Sequence, residues 1–248
     1  MRAHVAFGPV GALILWSSFT YGGLVKPLFL PPPHAVCTAL WTLAIDGPLL
    51  WDLGTTFYRT LLAFGISIGV GLLVGVPLGL SRKTYESSEV VFDFLRSMPS
   101  PVMIPLAMLF FGLGDASRIA VAAFTCGLIN ALQTVYAVRS IPKQRVHAAR
   151  LAGAEGSLIF FHVLVPSALP ILVAGWRITL SLALIVVVVT EMFIGTQSGL
   201  GMRVLDSHLM FRIPEMYAGI VAVGMVGYGL NKSVEAAERR FVHWSEKG

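Results

Sequence analysis

Apolar residues in this chain come in long unbroken runs, separated by short clusters of charge. Between Arg2 and Lys26 no residue carries a full charge, and His4 is the one titratable group. A second run, TLLAFGISIGVGLLVGVPLGLS, lies between Arg59 and Arg82, a third between Arg96 and Asp115, and a fourth between Arg118 and Arg139. The fifth runs from Val163 to Thr190 around Arg177, and the sixth, short and rich in glycine, lies between Glu215 and Lys232. A bilayer core about 30 Å thick takes roughly 20 apolar residues of helix. The pattern therefore predicts an all-α membrane protein, one domain over residues 1–248. Its spans fall at 5–25, 60–81, 97–114, 119–138, 166–191 and 214–231. An even number of crossings puts both termini on one side. The first run has a long apolar core and no clear small-residue cleavage site, so it reads as a retained anchor.

Composition agrees. Of 248 residues, 56% are hydrophobic and 12% charged, about half the charge of a soluble domain at roughly 25%. The net charge is +5. With the N-terminus in the cytoplasm, the inner segments hold Arg2; Arg82, Lys83 and Arg96; Arg139, Lys143, Arg145 and Arg150; and Lys232, Arg239, Arg240 and Lys247. The outer ones hold only Lys26, Arg59, Arg118, Arg203 and Arg212. That bias sets the orientation, and its division among separate loops argues against nucleic acid. Cys37 and Cys126 have no partners at metal-ligand spacing, and no two histidines stand four apart, so no metal site is expected.

Span two carries Gly65–Gly69 and Gly71–Gly75–Gly79 at four-residue steps, a signal for close helix packing within the chain or against a second copy. Pro77, Pro99, Pro101 and Pro105 interrupt helices near the cytoplasmic side. Such breaks persist in lipid where protein or water satisfies the backbone, so spans two and three are expected to line something. Outside, LPPPHAV forms a rigid turn, followed by an interfacial helix around WTLAIDGPLLWDL with Trp41 and Trp51 at the membrane surface. Residues 196–214 form a polar loop containing SGLG, and the link between spans three and four is only residues 114–117.

The cytoplasmic segment 139–165 interrupts the pattern. Pro142 starts a helix from Lys143 to Ala152, and Gly153 stops it. A second short helix is expected from Glu155 to about Leu164, before Pro166. The first has small residues, Ala148, Ala149 and Ala152, beside Val146, and is too short and charged to span. It reads either as a lever that a soluble partner grips or as a plain connector on the membrane surface.

This segment resembles the EAA loop of ABC importer permeases, E-A-A-x3-G-x9-I-x-L-P. The register is His147-Ala148-Ala149, Arg150-Leu151-Ala152, Gly153, then Val163-Leu164-Val165-Pro166 after nine residues. His147 stands where the pattern has Glu, so the ion pair that Glu makes in relatives is in doubt. LFLPPPHAV, RSMPSPVMIPLAMLFFGLGDASRI and GWRITLSLALIVVVVTEMFIGTQSGLG resemble further blocks of the nitrate/sulfonate/taurine-type subfamily, in the same order. The resemblance implies a type I ABC importer permease fold in a bacterial inner membrane, paired with a second copy as a homodimer. Two ATPase subunits would bind below through His147, Ala148, Ala149, Arg150, Leu151, Gly153 and Ala154. An extracytoplasmic binding protein would deliver a small anion to the loop of Ser198, Gly199, Leu200 and Gly201. No G-x4-G-K-S/T phosphate cradle is present, so ATP and Mg are expected in the partner ATPase, with no cofactor in this chain and no catalytic residues.

Met98, Pro99, Arg177 and Glu191 are the candidate path residues. Arg177 either faces the path or ties helices together, and Glu191 either lines the path or bonds the SGLG loop. A second E-A-A string at Glu235–Ala237 lacks the downstream glycine and proline and reads as a chance match in an amphipathic cytoplasmic tail. The competing classes are an ion-coupled secondary transporter, which needs carboxylates within the spans, and an integral membrane enzyme, which needs its groups gathered at one depth.

Overall fold

A computed structural model describes residues 4–195 and 197–241, almost all of them helical. The elements are α1 (His4–Tyr21), α2 (Pro33–Ile45), α3 (Leu49–Leu80), α4 (Arg82–Arg96), a 3-10 turn (Ser100–Met103) leading into α5 (Ile104–Phe111), and α6 (Asp115–Arg139). After these come α7 (Lys143–Leu151), α8 (Ser157–Ile159), a π turn (Phe160–Leu164), α9 (Val165–Ile194), α10 (Leu200–Leu209) and α11 (Ile213–Phe241). Four helical runs among the described residues are long and apolar enough to cross a membrane: Leu49–Leu80, Asp115–Arg139, Ser157–Ile194 and Ile213–Arg240. A fifth crossing arises if α4 and the Ser100–Phe111 segment count as one. α1 is apolar and free of Asp, Glu, Lys and Arg over 18 residues, about 27 Å of rise at 1.5 Å per residue.

Several elements differ from expectation. The span expected at 60–81 begins at Leu49, so Arg59 lies inside α3 and is buried there. WTLAIDGPLLWDL is not one helix. α2 ends at Ile45, Asp46–Pro48 turn the chain, and α3 begins. The span expected at 97–114 is helical only over Ser100–Phe111, and that segment meets the preceding Arg82–Arg96 helix at 91°. Pro99, Pro101 and Pro105 supply the reason, because each lacks the amide that a continuing helix needs and restricts the residue before it. The second short helix of the cytoplasmic segment does not stop at Pro166. Residues 157–194 form one run, in which the wider π turn before Pro166 takes up the mismatch and Val165 N–H donates to Phe160 O. Part of the expected tail, 242–248, lies outside the described residues.

α6 is the central helix, with α3 on one side and α9 on the other. The glycine ladder makes the α3–α6 approach possible. A Cβ at Gly71 would lie 2.5 Å from Cβ of Asn130, one at Gly75 2.5 Å from Ala131 O, and one at Gly79 2.8 Å from Cβ of Val138. Gly65 and Gly69 face open space. At mid-depth, Asn130 Nδ2 donates to Ser67 Oγ (2.9 Å) and Thr179 Oγ1 donates to Asn130 Oδ1 (3.0 Å). That chain crosses α3, α6 and α9 where lipid offers no competing partner; such interhelical bonds average about 0.6 kcal/mol.

Gly75→Ala is expected to destabilise the purified chain by about 1–3 kcal/mol through overpacking, whereas Gly65→Ala leaves it unchanged. Thermal unfolding in detergent measures both.

Candidate functional site

At the outer end of the bundle, one helix face of α3 presents Asp52, Thr56 and Arg59, all buried. Arg59 is 2% and Glu191 0% exposed. The Arg59 guanidinium is divided between three elements. Its Nη1 donates to Glu191 Oε1 (2.7 Å) on α9 and to Ser198 O (2.9 Å), while Nε (3.0 Å) and Nη2 (2.7 Å) donate to Asp115 Oδ1 at the start of α6. Thr56 Oγ1 donates to Glu191. Arg118, one turn into α6, adds Nη1 to Asp115 Oδ1 (3.0 Å) and Nη2 to Gly195 O (2.5 Å). A carboxylate this deep is tolerable only with a paired cation and further donors, and Glu191 has both.

The SGLG segment closes over this cluster. Three successive amides at the start of α10 each meet a buried acceptor: Gly199 N–H to Asp52 Oδ1 (2.8 Å), Leu200 N–H to Thr56 Oγ1 (2.9 Å) and Gly201 N–H to Glu191 Oε2 (2.9 Å). The glycines are required by this embrace. Gly199 has φ +130°, and a Cβ there would lie 2.5 Å from the Glu191 carboxyl carbon; a Cβ at Gly201 would collide with Val188 O. Arg203 Nε then binds Asp52 Oδ2 at 2.8 Å. The outer-side arginines are thus neutralised in place: Arg59, Arg118 and Arg203 here, and Arg212 against Glu215 at 3.6 Å.

At the other end, Pro142 caps α7 and Gly153, at φ +84°, follows it. α7 stands away from the bundle, with none of its residues buried. Arg145 Nη1 donates to Ser167 Oγ of α9 at 3.1 Å. Its two faces differ in character. Ala148 and Leu151 point outward, Leu151 being 91% exposed. Lys143, Val146, His147 and Arg150 instead line a groove of about 750 Å³ against α4 and the end of α6. Ala149 and Ala154 are half-buried and Gly153 exposed.

The family description "binding-protein-dependent transport system inner membrane component" matches residues 67–244. The chain belongs to that family of permeases. A probable ABC transporter permease of Brucella abortus (strain 2308) is 31% identical, over 94% of this chain and 91% of the relative. A putative aliphatic sulfonates transport permease of Escherichia coli (strain K12) is 30% identical, over 99% of this chain and 93% of the relative. The inward-facing MetNI methionine ABC transporter has the same fold, with a TM-score of 0.65 at 23% identity, over 78% of this chain and 97% of that one.

The permease places its other candidate residues as follows. Met98 and Pro99 lie at the 91° elbow between α4 and α5, with Met98 beside Phe124, Thr125 and Leu128 at the middle of α6. Arg177 is 44% exposed, and its nearest carboxylate is Glu235 of α11 at 3.8 Å. Glu191 is enclosed and its oxygens are engaged, so it meets no open path in this conformation. The loop expected to face a binding protein turns inward instead: Gly199, Leu200 and Gly201 are buried and Ser198 half-buried. Exposed apolar surface lies instead on the α10–α11 turn, where Leu209, Met210 and Phe211 are 64%, 61% and 77% exposed. Asp52, Thr56, Arg59 and Asp115 were not anticipated. Their signal was spacing, since 52, 56 and 59 follow the i, i+4, i+7 rule for one helix face, but Arg59 looked like a span boundary.

Gly199→Ala in the permease is expected to lower the thermal midpoint sharply, because it combines left-handed strain of about 1–3 kcal/mol with a clash against Glu191. Gly114→Ser, at an ordinary φ of −86° with open space around it and at a helix N-cap position that serine favours, should leave the midpoint within a degree or two.

Proposed function

We propose that the permease is the membrane subunit of an ATP-driven importer in a bacterial inner membrane, with both termini in the cytoplasm. It pairs with a second copy and carries a small anion of the sulfonate kind, delivered by an extracytoplasmic binding protein. The observation that carries this reading is the outward face of α7. Leu151, 91% exposed, stands with the small residues Ala148 and Ala152 on a face of a short helix that no other described element covers, a face that a partner's surface can approach closely. The partner is the ATPase subunit, one for each of two permease copies, which holds the ATP and Mg. Ala148 and Ala152 beside Leu151 leave room for a close surface, while His147 and Arg150 sit on the other flank of the same helix.

Family membership supports the coupling, and the aliphatic sulfonate relative supports the anion. A positive side chain partly open to solvent, Arg177, suits an anionic solute on the cytoplasmic half of the route. The broken third crossing, with Met98 and Pro99 at its bend, is where unwound backbone can line a hydrated cavity. The exposed Leu209–Phe211 turn is the outer surface on which the binding protein would rest. Transport then follows from a population shift. ATP closing the ATPase pair binds one permease state better than the other, and moves the equilibrium by that difference in affinity. A gradient-driven carrier would need a carboxylate that exchanges protons or ions with water, and Glu191 is enclosed.

Leu151→Asp is expected to insert and fold normally yet lose co-purification with its ATPase and lose uptake of labelled taurine in cells lacking other sulfonate importers. It is a cleaner test than Gly153→Asp, whose φ of +84° adds backbone strain. Wild-type uptake by Leu151→Asp would refute docking at this face.

A further inference from the structure

The groove between α4 and α7 has a second part. Its polar mouth, about 750 Å³, collects Arg82, Arg139, Lys143 and Arg150 with His147 against the two carboxylates Glu86 and Glu89. Leu80, Val138 and Leu164 form its floor, and the same three residues wall an apolar crevice of about 250 Å³ that continues up between α3, α6 and α9 past Ala168, Leu169 and Trp176. A cationic mouth set against a dry slot in the bundle, with three side chains common to both walls, matches the two halves of an amphiphile.

We propose that this is a binding site for one anionic phospholipid of the cytoplasmic leaflet, its phosphate held at the mouth and one acyl chain lying in the crevice. The charges are arranged for it. Arg82 is held by Glu86 at 2.6 Å, and Arg139 lies over the Tyr85 ring at 4.2 Å and reaches the Leu78 and Ser81 carbonyls. Lys143 and Arg150, two turns apart on α7, form no ion pair with any described residue and point into the same mouth. Basic pockets between helices on the cytoplasmic side recognise acidic headgroups, and burying an acyl chain is favourable in proportion to its length. α4 supports the site from the other side. Val90, Val91 and Phe94 are exposed along the same helix that brings Glu86 and Glu89 to the mouth. The lipid would wedge between the α7 lever and α9, so the composition of the leaflet would set the lever's resting angle. The site rests on α7 being cytoplasmic, as in the transport reading, but uses the groove-lining side chains Lys143 and Arg150 and not Leu151.

The test uses the full chain, purified in detergent and stripped of lipid. Phosphatidylglycerol, phosphatidylcholine and inorganic phosphate are titrated separately, with the thermal midpoint and native mass spectrometry as readouts. One phosphatidylglycerol per chain is expected to bind and raise the midpoint. Lys143→Gln with Arg150→Gln should weaken it about thirtyfold, each charge near an acidic headgroup contributing about fivefold. Leu169→Trp, which fills the crevice, should weaken it while phosphatidylcholine remains ineffective throughout. Equal stabilisation by phosphatidylcholine, or by inorganic phosphate, would overturn the proposal. So would unchanged lipid affinity in the charge variant, particularly if that variant loses the ATPase, which would give the groove to the protein partner. Leu151→Asp keeps its phosphatidylglycerol whether or not the ATPase docks there, so the two readings fail separately.

Discussion

A carboxyl group with no exposure to solvent, Glu191, sits near the end of the longest helical run in the bundle, and the architecture at that end is arranged around satisfying it. Arg59 supplies the counter-charge, Thr56 a hydroxyl, and Gly201 an amide. Arg59 and Thr56 come from α3 and Gly201 from α10, so satisfying one side chain of α9 fixes the three helices relative to one another. Asp115 extends the network to α6 and recruits Arg118. Removing two charges from water is expensive, and the compensation here is completeness: every arm of the Arg59 fork has a partner, and the loop over it has glycine where a side chain would displace Glu191. The sequence motif SGLG forms a closure around the ion pair.

This clamp defines where the molecule cannot bend and so where it can. From Ser157 to Ile194 the chain is one helical run, about 57 Å long at 1.5 Å per residue. Its outer end is held by Glu191. Its inner end is joined to α7 through Gly153 and Gly156, both at positive φ, a conformation glycine adopts freely. Under the proposed transport reading, a pull on α7 would reach α9 through the Gly153–Gly156 joint, while the far end of α9 is held by the Glu191 network. The π turn at Phe160–Leu164 lies just past the joint, a feature often found where helices meet functional demands. Coupling through such contiguous packed elements needs no change in the spans themselves, only in their tilt.

Much of this was legible in advance, for identifiable reasons. Long apolar runs located α6, α9 and α11, the second of them around Arg177, because lipid tolerates little else. Pro142 and Gly153 bounded α7 to within a residue or two, since both act locally. The four-residue glycine steps marked the α3–α6 contact, while Gly65 and Gly69, equally spaced, meet nothing in this chain. What escaped was non-local. Arg59 looked like the end of a span because a charge in an apolar run normally is one; only its partners on α6 and α9 make it an interior residue. The third crossing looked continuous in hydropathy, and its prolines alone foretold the break. The inward turn of Ser198–Gly201 depends on Asp52, some 147 positions away.

The clamp itself is open to a double-mutant cycle on Arg59→Met and Glu191→Leu, read by reversible denaturant unfolding of the purified chain. If the ion pair organises the outer bundle, each single change strands a buried charge and costs about 3–5 kcal/mol, while the double change, leaving neither charge, costs much less than the sum. Two modest losses that simply add would mean that Glu191 and Arg59 act independently, and that the outer bundle is held by something else.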